Sequence, residues 1–145
     1  MNTILKYMTG VHGQCDELYA AAEQAVANRN WADAKSAFAA FVEASNKHFA
    51  TEEEVLFPLL EKQMGHAAGP TQVMRMEHQQ MQTLFDGLAE QLQNEAQDDF
   101  LGDAETLLIL MQQHNMKEEQ ILYPMADQFL ATKRSSVIEA IDGFQ

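Results

Sequence analysis

Two stretches of this chain lie 66 residues apart and carry one pattern. They read His48-Phe-Ala-Thr-Glu52-Glu53-Glu-Val-Leu56-Phe57-Pro58 and His114-Asn-Met-Lys-Glu118-Glu119-Gln-Ile-Leu122-Tyr123-Pro124. The same offset carries His12 onto His78, and Leu18-Tyr19 onto Leu84-Phe85. The chain holds only five histidines and three prolines, so two histidine pairs and a proline pair at one offset argue for internal duplication. The expectation is two related helical hairpins, each supplying one isolated His and one His-x-x-x-Glu. Side chains four apart share a helix face, so each hairpin brings imidazole and carboxylate to the same side.

Breaks in the pattern are few. Asn28-Arg-Asn30 precedes a new periodic stretch, with Asn30 as N-cap. Gly65-His-Ala-Ala-Gly69-Pro70 reads as a loop, with Pro70 at a first helical position. Asn94 to Asp99 is polar, and Asp98 or Asp99 is expected to cap the next helix. Four helix-length segments remain, about 3–28, 31–63, 70–94 and 99–131. A fifth, short helix near 137–143 is expected from Ser136-Val-Ile-Glu139, a capping-box pattern. Pro58 and Pro124 are each expected to kink or end a helix, because proline lacks an N–H and crowds the preceding turn.

Alternating steps of three and four trace a core seam through each segment. They give Leu5, Met8, His12, Cys15, Tyr19, Ala22 and Val26, then Ala34, Phe38, Phe41, Ser45, His48, Glu52, Val55 and Leu59. The third seam is Met74, His78, Met81, Phe85, Leu88 and Leu92, and the last is Phe100, Ala104, Leu107, Met111, His114, Glu118, Ile121 and Met125. The four repeated histidines and two glutamates interrupt apolar rows. The predicted fold is all-α: an up-down-up-down four-helix bundle with a short C-terminal helix, one domain over residues 1–145. Each histidine then lies roughly 27 Å from its hairpin turn, which puts all four in one layer.

A lone histidine in a seam is more often a hydrogen-bonded core residue than a ligand, and a buried glutamate usually signals a salt bridge. No Lys or Arg occupies any seam position here. Two buried carboxylates without cations are costly as ions, and bound metal removes that cost. His12, His48, Glu52, His78, His114 and Glu118 are therefore the expected metal ligands. Glu53 and Glu119 point about 140° from the histidines of their own helices and read as solvated or interhelical charges. Cys15 reads as a buried thiol filling space, and Tyr19, Phe85 and the Met-rich layers as core. Tyr123 answers Phe57 in the repeat, so its hydroxyl is given no special role. His66 falls in the Gly-rich loop and is expected to be solvent-exposed.

Composition excludes several functions. A net charge of −13 opposes nucleic acid, whose phosphates select Lys and Arg, and opposes anionic membrane surfaces. No apolar run approaches membrane-spanning length, and the start of the chain lacks a continuous apolar signal segment. One cysteine permits no intrachain disulfide and fits a reducing compartment, so a cytoplasmic protein is expected.

His12, His48-x-x-x-Glu52, His78 and His114-x-x-x-Glu118, with their Leu-Phe-Pro and Leu-Tyr-Pro tails, resemble the hemerythrin-like, or HHE cation-binding, domains over nearly the whole chain. The resemblance implies a non-haem di-iron centre, with the four histidines as terminal ligands and Glu52 and Glu118 as bridges. Zinc or manganese are possible substitutes. Ferritin-like sites use Glu-x-x-His, and no histidine here has Glu three residues before it. The oxygen-carrying members place a second His one turn from that of the third helix, where this chain has Met74 and Gln82. They also use His-x-x-x-x-Asp on the fourth helix. One fewer histidine implies an open position on each iron for oxygen, peroxide or nitric oxide. Sensing, stress response or iron handling is then the leading expectation. Repair of damaged iron centres, removal of peroxide or nitric oxide, and a structural or adaptor bundle are the alternatives; no protein partner is identified.

Overall fold

A computed structural model describes residues 2–66 and 69–144, and all regular structure among them is helical. The helices are α1 (Ile4–Ala27), α2 (Trp31–Thr51), α3 (Phe57–Met64), α4 (Gly69–Gln93), α5 (Gln97–Lys117), α6 (Tyr123–Phe129) and α7 (Arg134–Phe144). Two π-helical turns, Glu52–Leu56 and Glu118–Leu122, join α2 to α3 and α5 to α6. A 3₁₀ turn, Ala131–Lys133, leads into α7. The helices pack in a closed ring in which α1 meets α2, α2 meets α4, α4 meets α5 and α5 meets α1. The expected loop at Gly65–Pro70 lies partly outside the described residues, at 67 and 68. Gly65 itself, at φ 84°, ends α3, and His66 beyond it is exposed.

The duplication extends to the backbone. Arg29 and Glu95, 66 residues apart, both adopt left-handed conformations, at φ 55° and 53°. Each closes its helix the same way: Asn30 N–H donates to Ala25 O and Ala96 N–H to Gln91 O, both at 2.9 Å. The two turns meet, with Arg29 Nε donating to Gln97 Oε1 at 2.9 Å and Gln97 Nε2 to Val26 O at 3.0 Å. Both hairpin turns therefore sit at one end of the molecule. Asn30 caps α2 as expected, accepting from Asp33 N–H. The expected caps Asp98 and Asp99 instead lie inside the first turn of α5, where negative charge favours the helix N-terminus. Ser136 likewise falls within α7, which begins at Arg134. Ile4 and Leu5 N–H groups donate to Asp127, so the start of α1 is docked on α6 and Ile4, rather than Leu5, is buried.

Neither Pro58 nor Pro124 ends its rod. The preceding turn widens instead: Phe57 N–H donates to Glu52 O and Tyr123 N–H to Glu118 O, five residues back. That widening accommodates a proline ring that would clash in a regular α-turn. The extra residue shifts the seam beyond each glutamate by one. Leu56 and Leu60 are buried where Val55 and Leu59 were expected, and Leu122 and Ala126 where Ile121 and Met125 were expected. Ile121 is 57% exposed. Up to the glutamates, and apart from Leu5, the predicted seams hold. One apolar cluster, built on Phe38, Phe41, Phe85 and Phe100, fills the turn end, and another, built on Leu56, Phe57, Leu122 and Tyr123, fills the opposite end. The histidine layer lies between them.

Candidate metal centre

His12 projects from α1, His48 from α2, His78 from α4 and His114 from α5, while Glu52 and Glu118 open the two π-turns. All six side chains are buried. Glu118 Oε1 lies 3.0 Å from His12 Nε2 and 3.3 Å from His114 Nε2, so it touches one histidine from each hairpin. Glu52 Oε1 does the same, at 3.1 Å from His78 Nε2 and 3.4 Å from His48 Nε2. The Nε2 atoms of His12 and His48 approach to 3.1 Å, and the rings of His78 and His114 to 5.0 Å between centroids. Two clusters that could hold a metal ion result: Glu52, His78, His114 and Glu118, and His12, His48 and Glu118, each with polar atoms within 4.8 Å of one another. Glu118 belongs to both.

Three more carboxylates hold the histidines from outside. His12 Nδ1 pairs with Glu119 at 2.7 Å, His78 Nδ1 with Glu53 at 2.6 Å and His114 Nδ1 with Glu77 at 2.9 Å. A carboxylate on Nδ1 fixes the N–H there and turns the Nε2 lone pair inward, the form that a metal ion requires. Glu77 is itself held by Lys117. Of the two readings expected for Glu53 and Glu119, solvated or interhelical, the structure shows the interhelical one. They do point away from the histidines of their own helices, but towards those of neighbouring helices. His48 lacks such a partner among the described residues, because Val11 stands at the position that repeats as Glu77.

Tyr123 also has a larger role than the repeat suggested. The π-turn rotates it inward, where its hydroxyl donates to Glu52 Oε2 at 2.6 Å and lies 3.0 Å from Glu118 Oε1. Burial and the two carboxylates raise its pKa well above the usual phenol value, so it remains a donor. Phe57, its counterpart, has no hydroxyl and lies nearly parallel to His78 at 6.1 Å between centroids.

The electrostatics favour a cation. Among the described residues no buried Lys or Arg neutralises the two glutamates. Burial and then the neighbouring Glu118 charge push the Glu52 carboxyl up. Burial also acts upward on Glu118, but hydrogen bonding from Glu52 and the nearby His114 hold it well below the usual range. The pair is thus driven apart, Glu52 towards the protonated form and Glu118 towards the ionised one. Glu118 Oε2 and His114 Nε2 are buried without a hydrogen-bond partner. Orphaned buried polar atoms of this kind are rare in native cores, and a bound cation would satisfy them. Imidazole nitrogen with carboxylate oxygen is a donor set that suits iron, zinc or manganese.

The two halves are not identical. Phe49 stacks on His78 at 4.1 Å and 14°, while its repeat counterpart, Asn115, leaves the equivalent space beside His12 open. A cavity of about 20 Å³ lies there, against His12 and His48. Its walls pair small residues with larger repeat counterparts: Cys15 with Met81, Ser45 with Met111 and Asn115 with Phe49. One water or a molecule of similar size fits. Cys15 is buried, as expected, but at the edge of this space rather than merely filling core.

No helix among the described residues is long and apolar enough to cross a membrane. Comparison with curated proteins gives no match, and neither does comparison with solved structures. The family model described as "Hemerythrin HHE cation binding domain" matches residues 3–126, a span that includes all six clustered side chains and Tyr123. The chain is a member of the hemerythrin HHE cation-binding domain family.

Proposed function

We propose that the chain is a single-domain, up-down-up-down four-helix bundle that holds two iron ions and takes up oxygen, peroxide or nitric oxide. His12 and His48 would hold one ion and His78 and His114 the other, with Glu52 and Glu118 spanning both. The observation that carries this reading is that one oxygen of each glutamate lies against histidines from both hairpins. Iron bound there would supply one-electron redox chemistry towards small oxygen and nitrogen species.

The chain's own residues do the rest. Glu53, Glu77 and Glu119 hold three imidazoles in one tautomer and fix the ring planes. Tyr123 orients both glutamates through one hydroxyl. Phe49 and Phe57 pack against His78 and exclude water from that half. The cavity beside His12 and His48 limits an incoming ligand to diatomic or peroxide size. Such an arrangement serves sensing, stress response or iron handling in the cytoplasm, where the single free thiol would stay reduced.

The test is the optical spectrum of the reduced, iron-loaded protein titrated with nitric oxide, with zinc-loaded protein as control. A saturable change at one ligand per pair of irons, absent with zinc, is expected. An unchanged spectrum at saturating nitric oxide sinks ligand uptake and leaves metal storage or structural stabilisation. Sustained turnover of peroxide or nitric oxide would move the assignment to an enzyme.

A further inference from the structure

A surface cleft of about 280 Å³ opens between α1 and α2. Val11, Leu18, Ala40 and Ala44 form its apolar part, Gln14, Glu43 and Lys47 add polar and charged groups, and His48 and Cys15 line it as well. Those last two residues also line the 20 Å³ cavity beside the histidine layer. The cleft and the cavity therefore adjoin at Cys15 and His48, which line both. The repeat explains why a cleft forms on this side. Ala44 is answered by Leu110, which packs against the core cluster, and Val11 by Glu77, which is bonded to His114 and Lys117. Exposure follows the same division: His12 and His48 retain 3% and 4%, and His78 and His114 0% and 1%.

Building on the function proposed above, we infer that the α1–α2 cleft is the entry route by which a small uncharged molecule reaches the His12–His48 half. The apolar part of the lining suits an uncharged solute, and a net charge of −13 repels anions. Passage requires movement of the Cys15 side chain alone, since His48 would be held by iron and open space lies on both sides of Cys15. A diatomic gas meets these conditions.

Ala44→Leu copies the Leu110 side of the repeat and narrows the cleft at its floor. Ala40→Leu narrows it further out, at an exposed position where leucine is a good helix former. Two readouts apply to the full chain: stopped-flow association of nitric oxide with the reduced, iron-loaded protein, and modification of Cys15 by a small methanethiosulfonate. Ala44→Leu is expected to slow both by about tenfold, and Ala40→Leu to slow both by about threefold, as added side-chain volume fills the passage. The nitric oxide affinity at equilibrium should not change. Unaltered Cys15 modification in both variants overturns the route, as does slowed Cys15 modification with unaltered nitric oxide association. Should the protein bind no iron, the proposed function fails in the nitric oxide arm, while the Cys15 arm still reads the cleft.

Discussion

Phe49 lies flat on His78, with ring centroids 4.1 Å apart and planes within 14°, and the residue that repeats Phe49 is Asn115, beside His12. Stacking closes one half of the site; an amide in its place leaves the other half open. The inequivalence arises from side chains around the histidines, not from the histidines themselves.

Asn115→Phe should close the open half. The new ring would take the position over His12 that Phe49 takes over His78. Metal content is expected to stay at the wild-type value, while nitric oxide binding to the iron-loaded protein weakens by about tenfold or more, for lack of space. Stability should change by no more than about 2 kcal/mol, because Asn115 is only half-buried. Parallel metal analysis and optical titration check this. Undiminished ligand binding would show that the cavity is not where the ligand sits.

Tyr123→Phe removes the hydroxyl shared by Glu52 and Glu118, and Phe57 shows that the duplicated fold accepts phenylalanine at this position. Without metal, a buried carboxylate oxygen loses its donor, at a cost of about 1–3 kcal/mol. With metal, the same oxygens have another partner and the cost should be smaller. Urea unfolding of both forms measures the difference. An equal loss in each would mean that the hydroxyl does not act through the glutamates.

Most of the fold was legible because helix periodicity and the repeat point the same way as far as Glu52 and Glu118. Beyond those residues, steps of three and four select Val55 and Ile121, while the protein buries Leu56, Phe57, Leu122 and Tyr123. A π-turn adds one residue, and a fixed period cannot register it. A signal was present: the α-periodic seam left the larger apolar pairs Leu56-Phe57 and Leu122-Tyr123 outside, immediately before a proline each time. The six clustered side chains were legible because all of them precede or begin the shift. Glu53, Glu77 and Glu119 were not, since their partners lie on neighbouring helices and angles along one helix do not report them. Phe49 and Asn115 differ at one repeat position, and only packing shows what that difference does.

Metal binding should release protons. Burial alone pulls the His114 imidazole down, but Glu118 beside it outweighs this and lifts the group from 6.5 to about 9. His12 is also raised, its burial outweighed by hydrogen bonding to Glu118, and Glu52 is raised by burial and by Glu118. At neutral pH the metal-free site therefore holds protons that coordination must displace. Affinity should rise with pH up to about 9. Metal-free stability should run the opposite way. The His114 contribution is fully present below 6.5 and is lost as pH rises towards about 9. Calorimetry in buffers of different ionisation enthalpy counts the protons; a count of zero at pH 7 contradicts this account.

In the proposed centre Glu52 and Glu118 each serve two metal ions at once. Anaerobic loading with ferrous iron, removal of loosely bound metal and elemental analysis of folded wild-type, Glu52→Ala and Glu118→Ala proteins test it directly. About two irons per chain are expected in the wild type, and loss of both together in each variant, because neither ion retains its shared carboxylate. A folded wild-type protein that binds one iron, or variants that each lose only one of two, would contradict it.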